Sequence, residues 1–298
     1  MSDTLRRLPP AQLAPLREHY EQVRHAGRQR GLVAAAAVLA IVLLSGWFVQ
    51  ADLYGLIVHS DRFFSYFERL LTLAGGDMAG HPVWTDPGEW FWGWRRWLRL
   101  LIDTLLIAYA GTLFGALAGF CCAVLSAANI VPSRTLRWVV KRCAEFCRTV
   151  PDLVFALLFV YAFGLGPLPG VMAIAIHSTG TLGKQIVEVV ENIEMKPVDG
   201  VMASGSGWAR MVRFAVVPQV LPGFLSYALL RFEINVRTAA VLGFVGAGGI
   251  GQELIIAIRR FYYNDVAALL VMITLTVVII DTLSSALRRR VIGMEHSA

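Results

Sequence analysis

Charged residues are scarce in this chain of 298 residues, since Asp, Glu, Lys and Arg together make up only 16%. Soluble domains carry about 25% of these residues. Hydrophobic residues account for 56% of the chain, and the mean hydropathy is +0.60. A chain with this balance has lipid as its solvent, and the sequence therefore predicts a membrane protein.

Motifs that would indicate an enzyme are also missing. No G-x-x-x-x-G-K-[ST] segment occurs, which excludes nucleotide binding through a P-loop. No His/Cys spacing typical of a metal site and no neighbourhood typical of a catalytic triad stands out. The cysteines form no disulfide framework, and we interpret them as ordinary thiols: Cys121, Cys122, Cys143 and Cys147. We therefore expect no catalytic residue, no metal and no cofactor in this chain.

The net charge of +6 does not indicate a nucleic-acid partner. The basic residues lie between apolar runs and not along one face. This arrangement is typical of membrane topology and of contact with anionic lipid. We expect membrane lipid as a partner and no nucleic acid.

Six apolar segments approach the roughly 20 residues that a membrane-spanning helix needs. They are residues 32–49 and about 100–127, 150–165, 171–190, 220–244 and 266–287. The fourth is the least apolar, because it carries His177 and Lys184. No cleavable signal precedes the first segment. The predicted fold class is an all-α, polytopic membrane protein with about six transmembrane helices.

Basic residues orient these helices, because cytoplasmic loops are enriched in Lys and Arg. If six helices alternate, four basic clusters fall on one side: the N-terminal segment, the loops after the second and fourth helices, and the C-terminus. Both termini are then cytoplasmic, as residues 1–31 and 288–298. Residues 50–99 form an extracytoplasmic loop that ends in an interfacial aromatic and basic segment, and residues 100–287 form the core. The exceptions are Arg95, Arg96, Arg99, Arg259 and Arg260.

The polar interruption at residues 191–218 has a pattern of its own and lies on the predicted cytoplasmic side. Gly205 and Gly207 permit a sharp bend, so we expect two short helices here. An apolar face at helical spacing would suit a groove on a partner protein. Its members are Trp208, Met211, Val212 and Ala215, with Arg210 and Arg213 turned elsewhere.

This interruption resembles the EAA loop of ABC-importer permeases, which reads Glu-Ala-Ala, three residues, Gly, nine residues, Ile-x-Leu-Pro. Asp199, Gly200 and Val201 stand for Glu-Ala-Ala, and Gly205 for the loop glycine. Ala215-x-Val217-Pro218 stands for Ile-x-Leu-Pro. The substitutions conserve or reduce size, so the docking shape is expected to survive. The alternative is a plain interfacial helix between two spans.

Two longer runs narrow the resemblance to phosphonate-importer permeases (PhnE-like). They are RTVPDLVFALLF at residues 148–159 and RFEINVRTAAVLG at residues 231–243. The resemblance covers roughly residues 100–290. It implies the type I ABC importer (MetI-like) fold in a bacterial inner membrane, as a homodimer or paired with a homologous permease.

The same resemblance implies the partners and the mechanism. Two ATPase subunits would hold ATP and Mg, and an extracytoplasmic binding protein would deliver the substrate. Alternating access would be driven through residues 199–218. Phosphite, betaine, methionine and phosphate remain open as other solutes. A secondary transporter and a membrane-bound enzyme are the alternatives from other classes, and co-purification of an ATPase would separate them.

Charged residues inside the fifth apolar segment are candidates for a translocation pathway, because ionisable groups at membrane depth are costly. Arg231, Glu233 and Arg237 lie there, and the last two can pair four residues apart. The Arg fork matches phosphate oxygens. His177 and Thr179 in the fourth segment are further candidates. The alternatives are a structural ion pair and a packed histidine.

Residues 246–251, GAGGIG, match the dinucleotide-binding pattern G-x-G-x-x-G. That motif needs a βαβ unit and a parallel sheet, which six apolar segments do not provide. We expect instead a close approach of helices or a broken backbone at membrane depth.

Overall fold

The computed structural model describes residues 10–50, 55, 58–73 and 79–295. Within these ranges the only β-structure is an isolated bridge between Thr72 and Pro82, so the all-α prediction is confirmed. Parts of the predicted N-terminal segment, of the loop at residues 50–99 and of the tail lie outside the described residues. The chain divides into two units, residues 1–65 and 66–298.

The first unit contains the long helix α1 at Pro10–Phe48. Its part Gly27–Phe48 is long and apolar enough to cross a membrane, in agreement with the first predicted span. The helix also extends through most of the predicted N-terminal segment. Helix α2 at Ser60–Leu70 falls inside the predicted extracytoplasmic loop and continues into the second unit.

The second unit is a helical bundle. Its helices are α3 at Pro87–Trp90, α4 at Trp94–Ser126, α5 at Arg134–Thr149, α6 at Asp152–Phe163, α7 at Pro167–Glu191, α8 at Met195–Ala203, α9 at Trp208–Met211, α10 at Val217–Leu242, α11 at Ile250–Arg259 and α12 at Tyr263–Glu295. A π-helical turn at Val212–Val216 joins α9 to α10 without a break. A 3-10 turn at Gly243–Val245 ends α10.

A seam of glycines holds α4 against α7. A Cβ on Gly111 would lie 2.6 Å from the side chain of Ile174, and one on Gly115 would lie 2.6 Å from that of Ser178. Small residues four apart on one face let two membrane helices approach closely. The sequence contains this signal as G-x-x-x-G-x-x-x-G ending at Gly119, but the contact between α4 and α7 was not predicted from it.

The bundle has two chemically different ends. We call one the basic end, where α4 and α7 finish and α5 and α10 begin. There Lys141 Nζ lies 3.3 Å from Glu191 Oε1, and Asn129 Nδ2 donates to the Val190 carbonyl at 2.8 Å.

The opposite, aromatic end is where α4 and α12 begin and α11 finishes. Trp92 Nε1 donates to Asp265 Oδ1 at 2.9 Å, and Arg96 Nη2 lies 2.8 Å from Glu253 Oε2. Residues 94–99, predicted as the end of the extracytoplasmic loop, are instead the first turns of α4, and the interfacial position of this aromatic and basic segment stays a prediction.

The third predicted span also needs correction. Helix α6 has only 12 residues, about 18 Å of rise, against a hydrocarbon core of about 30 Å. Helix α5, predicted as part of a cytoplasmic loop, packs on α7 and meets α6 at an angle of 85°. Pro151 lies at the bend, where it lacks an N–H and restricts the residue before it. Taken together, the two helices of the bent pair α5–α6 are long and apolar enough to form one span.

The span count differs from six when length and hydropathy are applied to the described helices. Four meet both criteria, and a fifth is added if the bent pair α5–α6 is counted as one span. Helix α7, the predicted fourth span, has 25 residues but is not among them. It contacts α4, α5, α6 and α10, so protein encloses much of its surface and a continuous apolar face is not required.

Candidate functional site

The polar interruption forms two short helices with a bend between them, as predicted. Helix α8 ends at Ala203, Gly205 has φ of 78°, and α9 starts at Trp208. Only glycine adopts such a left-handed conformation without steric cost. Because α9, the π turn and α10 are continuous, the loop connects directly to a membrane helix.

Part of the apolar face of this loop is buried within its own chain, whereas Trp208 stays 40% exposed, so docking of the open part in a partner's groove stays a prediction. Met211 and Ala215 are 3% and 2% exposed and share a buried cluster with Val198. Trp208 Nε1 donates to the Ile130 carbonyl at 3.0 Å, in the connection between α4 and α5. The loop is therefore tied to the bundle at the basic end.

The surface left open by this packing combines small, polar and basic residues with a few large apolar ones. Asp199, Gly200 and Gly205 are exposed, and no atom lies within 4 Å of a Cβ built on either glycine. Val201 is half-buried against the cluster. Other exposed residues of this surface include Met202, Ala203, Ser204, Trp208, Arg210, Arg213 and Phe214. A partner that grips the loop meets this face.

The closing Val217 and Pro218 form the first turn of α10. Because the π turn runs directly into α10, Pro218 lies within a continuous helical segment and removes one backbone donor at the junction. Gln219 in the same turn accepts from the backbone N of Glu194 at 3.0 Å and donates to its carbonyl at 3.3 Å. These two bonds clamp the start of the loop to its end.

The predicted pairing of Glu233 with Arg237 is confirmed. Arg237 Nη2 lies 2.6 Å from Glu233 Oε1, and the side chains are 51% and 10% exposed. The carboxylate is thus buried and depends on a guanidinium that faces outward. Both remain candidate pathway residues.

His177 and Thr179 have local partners. His177 Nδ1 lies 3.3 Å from the Val150 carbonyl, which is left free by the break between α5 and α6. Thr179 Oγ1 donates to the Ala175 carbonyl of its own helix at 2.8 Å. Neither bonds to Glu233 or Arg237 among the described contacts, so both geometries suit packed helix residues.

A buried polar cluster that the sequence predictions missed joins α4, α7 and α10. Asn235 is 1% exposed, and its Nδ2 donates to Thr112 Oγ1 at 2.8 Å and to Ser178 Oγ at 2.9 Å. Arg231 Nε donates to the same Ser178 oxygen at 3.3 Å. Asn235 Oδ1 is buried without a partner in the described structure. An asparagine inside an apolar segment was the available signal.

The glycine-rich segment breaks the backbone between two helices, as predicted. Gly246, Gly248 and Gly249 have φ of 90°, 81° and 75°. The N–H of Ile250 donates to Thr104 Oγ1 of α4 at 2.9 Å, at the start of α11. The segment follows α10 and not a strand, which leaves no βαβ unit for a dinucleotide.

Residues 111–293 match the protein family described as binding-protein-dependent transport system inner membrane component. The chain belongs to this family. It is a multi-pass protein of the inner membrane and a permease of the ABC transporter class.

Two relatives are similar to this permease over most of its length. The phosphite transport system permease protein PtxC of Stutzerimonas stutzeri is 36% identical over 93% of this chain and 95% of its own. The phosphate-import permease protein PhnE of Mycolicibacterium smegmatis is 37% identical over 86% of this chain and 45% of its own.

A solved structure shares the fold of the permease. An inward-facing structure of the MetNI methionine ABC transporter has a TM-score of 0.57 at 20% identity, over 69% of this chain and 98% of that one. The predicted MetI-like fold is confirmed. At this identity the likeness concerns the fold alone.

Proposed function

We propose that this permease is the membrane-spanning subunit of an ATP-driven importer of a phosphorus oxyanion, namely phosphite, phosphonate or phosphate. The observation that carries the proposal is the similarity to PtxC over nearly the full length of both chains. ATP and Mg are held, and ATP is hydrolysed, on separate partner subunits. No group in this permease reacts with the substrate.

The loop at residues 195–216 transmits the work of those partners. Two ATPase subunits grip the exposed face around Asp199, Gly200 and Gly205. Movement of the loop reaches α10 directly through the π turn and reaches the α4–α5 connection through Trp208. Both routes support a change in how α10 sits against α4 and α7, which is the motion that alternating access needs.

The exposed guanidinium of Arg237 favours an assembly in which a second copy of the permease, or a homologous permease, lies beside α10. A charge that faces lipid within a span is costly, whereas one at a protein interface or on an aqueous path is not. The basic end is cytoplasmic by the distribution of Lys and Arg, together with both termini. A substrate-loaded binding protein then docks at the aromatic end.

Transport by the purified complex tests the proposal. The permease, its ATPase and its binding protein are reconstituted in liposomes, and uptake of phosphite, methylphosphonate, phosphate, glycine betaine and methionine is measured with ATP or a non-hydrolysable analogue. We expect uptake of at least one phosphorus oxyanion that requires hydrolysis. Uptake of betaine or methionine alone, or uptake driven by an ion gradient without ATP, would contradict it.

A further inference from the structure

The two arginines of α10 are in different electrostatic situations. Arg237 is neutralised by Glu233 at 2.6 Å. Arg231 forms no ion pair with any carboxylate of the described residues, and its one described hydrogen bond goes from Nε to the neutral Ser178 hydroxyl. Its two terminal nitrogens are therefore available to a ligand.

Arg231 lies deep in the membrane. It is 14 residues into α10, about 21 Å from Val217 along the axis, where the hydrocarbon core is about 30 Å thick. A cation without a counter-ion at that depth is costly unless an anion or water reaches it. The position is thus suited to transient binding of an anion.

The neighbouring groups hold Arg231 in place and include a hydrogen-bond acceptor that has no donor. Ser178 Oγ receives both Arg231 Nε and Asn235 Nδ2, so the guanidinium is oriented by a buried network. The same network contains Asn235 Oδ1, an acceptor without a donor in the described structure. A buried acceptor without a donor is unfavourable, so a ligand that supplies a donor at this position would be stabilised by it.

We propose that Arg231, Ser178 and Asn235 form the site at which a singly protonated phosphorus oxyanion binds during passage. The anionic oxygens accept from the Arg231 fork, and the P–OH group donates to Asn235 Oδ1. The cluster lies where α10 meets α7, so separation of these helices exposes it to the path. This inference rests on the proposed function and names the residues that contact its substrate.

Asp152 is the acidic residue with an electrostatic influence on Arg231. Its charge acts on Arg231, but the two form no ion pair, and its Oδ1 accepts from the N–H of Leu153 at 3.0 Å. Asp152 is therefore not a direct counter-ion of Arg231. The terminal nitrogens of Arg231 stay open to an oxyanion.

The reconstituted complex tests the site with the variants Arg231→Gln and Arg231→Lys. For Arg231→Gln we expect phosphite uptake to fall at least about tenfold, since a charge-assisted contact is lost. ATP hydrolysis stimulated by the loaded binding protein is retained. Arg231→Lys keeps the charge without the fork and gives an intermediate rate. Uptake of Arg231→Gln at the wild-type rate, or a parallel loss of stimulated hydrolysis, overturns the site.

Ser178→Ala and Ser284→Ala form a matched pair. Both remove a buried hydroxyl beside α10, since Ser284 Oγ donates to the Leu229 carbonyl at 3.3 Å. We expect a higher KM for phosphite in Ser178→Ala only, and equal effects in the two overturn the site. If Arg231→Gln does not accumulate, Arg231→Lys takes its place in the test, and wild-type uptake by Arg231→Lys overturns the site. If the wild-type complex imports no phosphorus oxyanion, both the proposed function and this site are wrong. If the wild-type complex is active and the variants transport equally well, only the site is wrong.

Discussion

Two breaks in the helices of this permease depend on glycine, but for different reasons. Gly205 separates α8 from α9 at the basic end, with φ of 78° and open space where a Cβ would be. Gly249 immediately precedes α11 and Gly251 lies in its first turn, and a Cβ on these residues would collide with Thr104 and with the Ala240 carbonyl, respectively. Gly205 is needed only for its left-handed backbone conformation. The glycines of the buried segment are needed also because there is no room for a side chain.

The difference distinguishes a joint that is exposed to a partner from one that is fixed in the core. The buried break directs α11 along α4, and its first N–H is capped by Thr104. The exposed break leaves Asp199 and Gly200 accessible beside the bend. Stability is expected to depend on the buried break and coupling on the exposed one.

Gly251→Ala is the substitution with the largest expected effect on stability. Its Cβ would overlap the Ala240 carbonyl, so α10 and α11 must separate, at about 1–3 kcal/mol or more. We expect poor accumulation and a lower Tm, measured by detergent-solubilised size exclusion and thermal unfolding. A stable, fully active Gly251→Ala protein would show that the two helices are not packed in this way.

Thr104→Val removes the hydroxyl that caps α11 while it keeps the side-chain shape. The Ile250 N–H is then left without a partner, at a cost of about 1–3 kcal/mol. Thermal unfolding should show a lower Tm for Thr104→Val and a near-normal Tm for Thr104→Ser, which keeps the oxygen. Equal Tm values for the two variants would remove the capping role.

Gly205→Val places a β-branched residue in the left-handed conformation but meets no neighbouring atom. The expected cost is about 1–2 kcal/mol, with strain confined to an exposed bend. Gly205→Asn should cost less, because Asn tolerates this conformation. Accumulation and Tm of both variants are compared with wild type, and a collapse as severe as that of Gly251→Ala would erase the contrast between the two breaks.

Gly207→Ala provides the smallest expected effect and the control for the exposed bend. Its φ is −73°, which alanine adopts readily, and its Cβ would meet nothing within 4 Å. We expect Tm and uptake close to wild type, within about 0.5 kcal/mol of stability. A strong loss of uptake here would mean that the surface itself, and not the bend at Gly205, is what the partner requires.

The sequence predicted the helical class, the bend at Gly205 and the Glu233–Arg237 pair, because each follows from local spacing. It mispredicted α5, since a basic, amphipathic segment resembles a cytoplasmic loop until tertiary packing places it on α7. It also offered Met211 and Ala215 to a partner together with Trp208, although the chain itself buries the first two, because periodicity does not say which surface covers an apolar face. The cluster around Asn235 depends on two hydrogen bonds that join residues far apart in sequence, with separations of 123 and 57 positions. No local pattern reveals such contacts.

The ratio of phosphite imported to ATP hydrolysed by the reconstituted complex tests the central claim most directly. We expect Gly205→Val to hydrolyse ATP while importing far less phosphite per ATP than wild type, with Gly207→Ala unchanged. That result would establish the bend as the link between the ATPase and the transport path. A normal ratio in correctly assembled Gly205→Val complex would contradict the account and leave the loop a simple connection between helices.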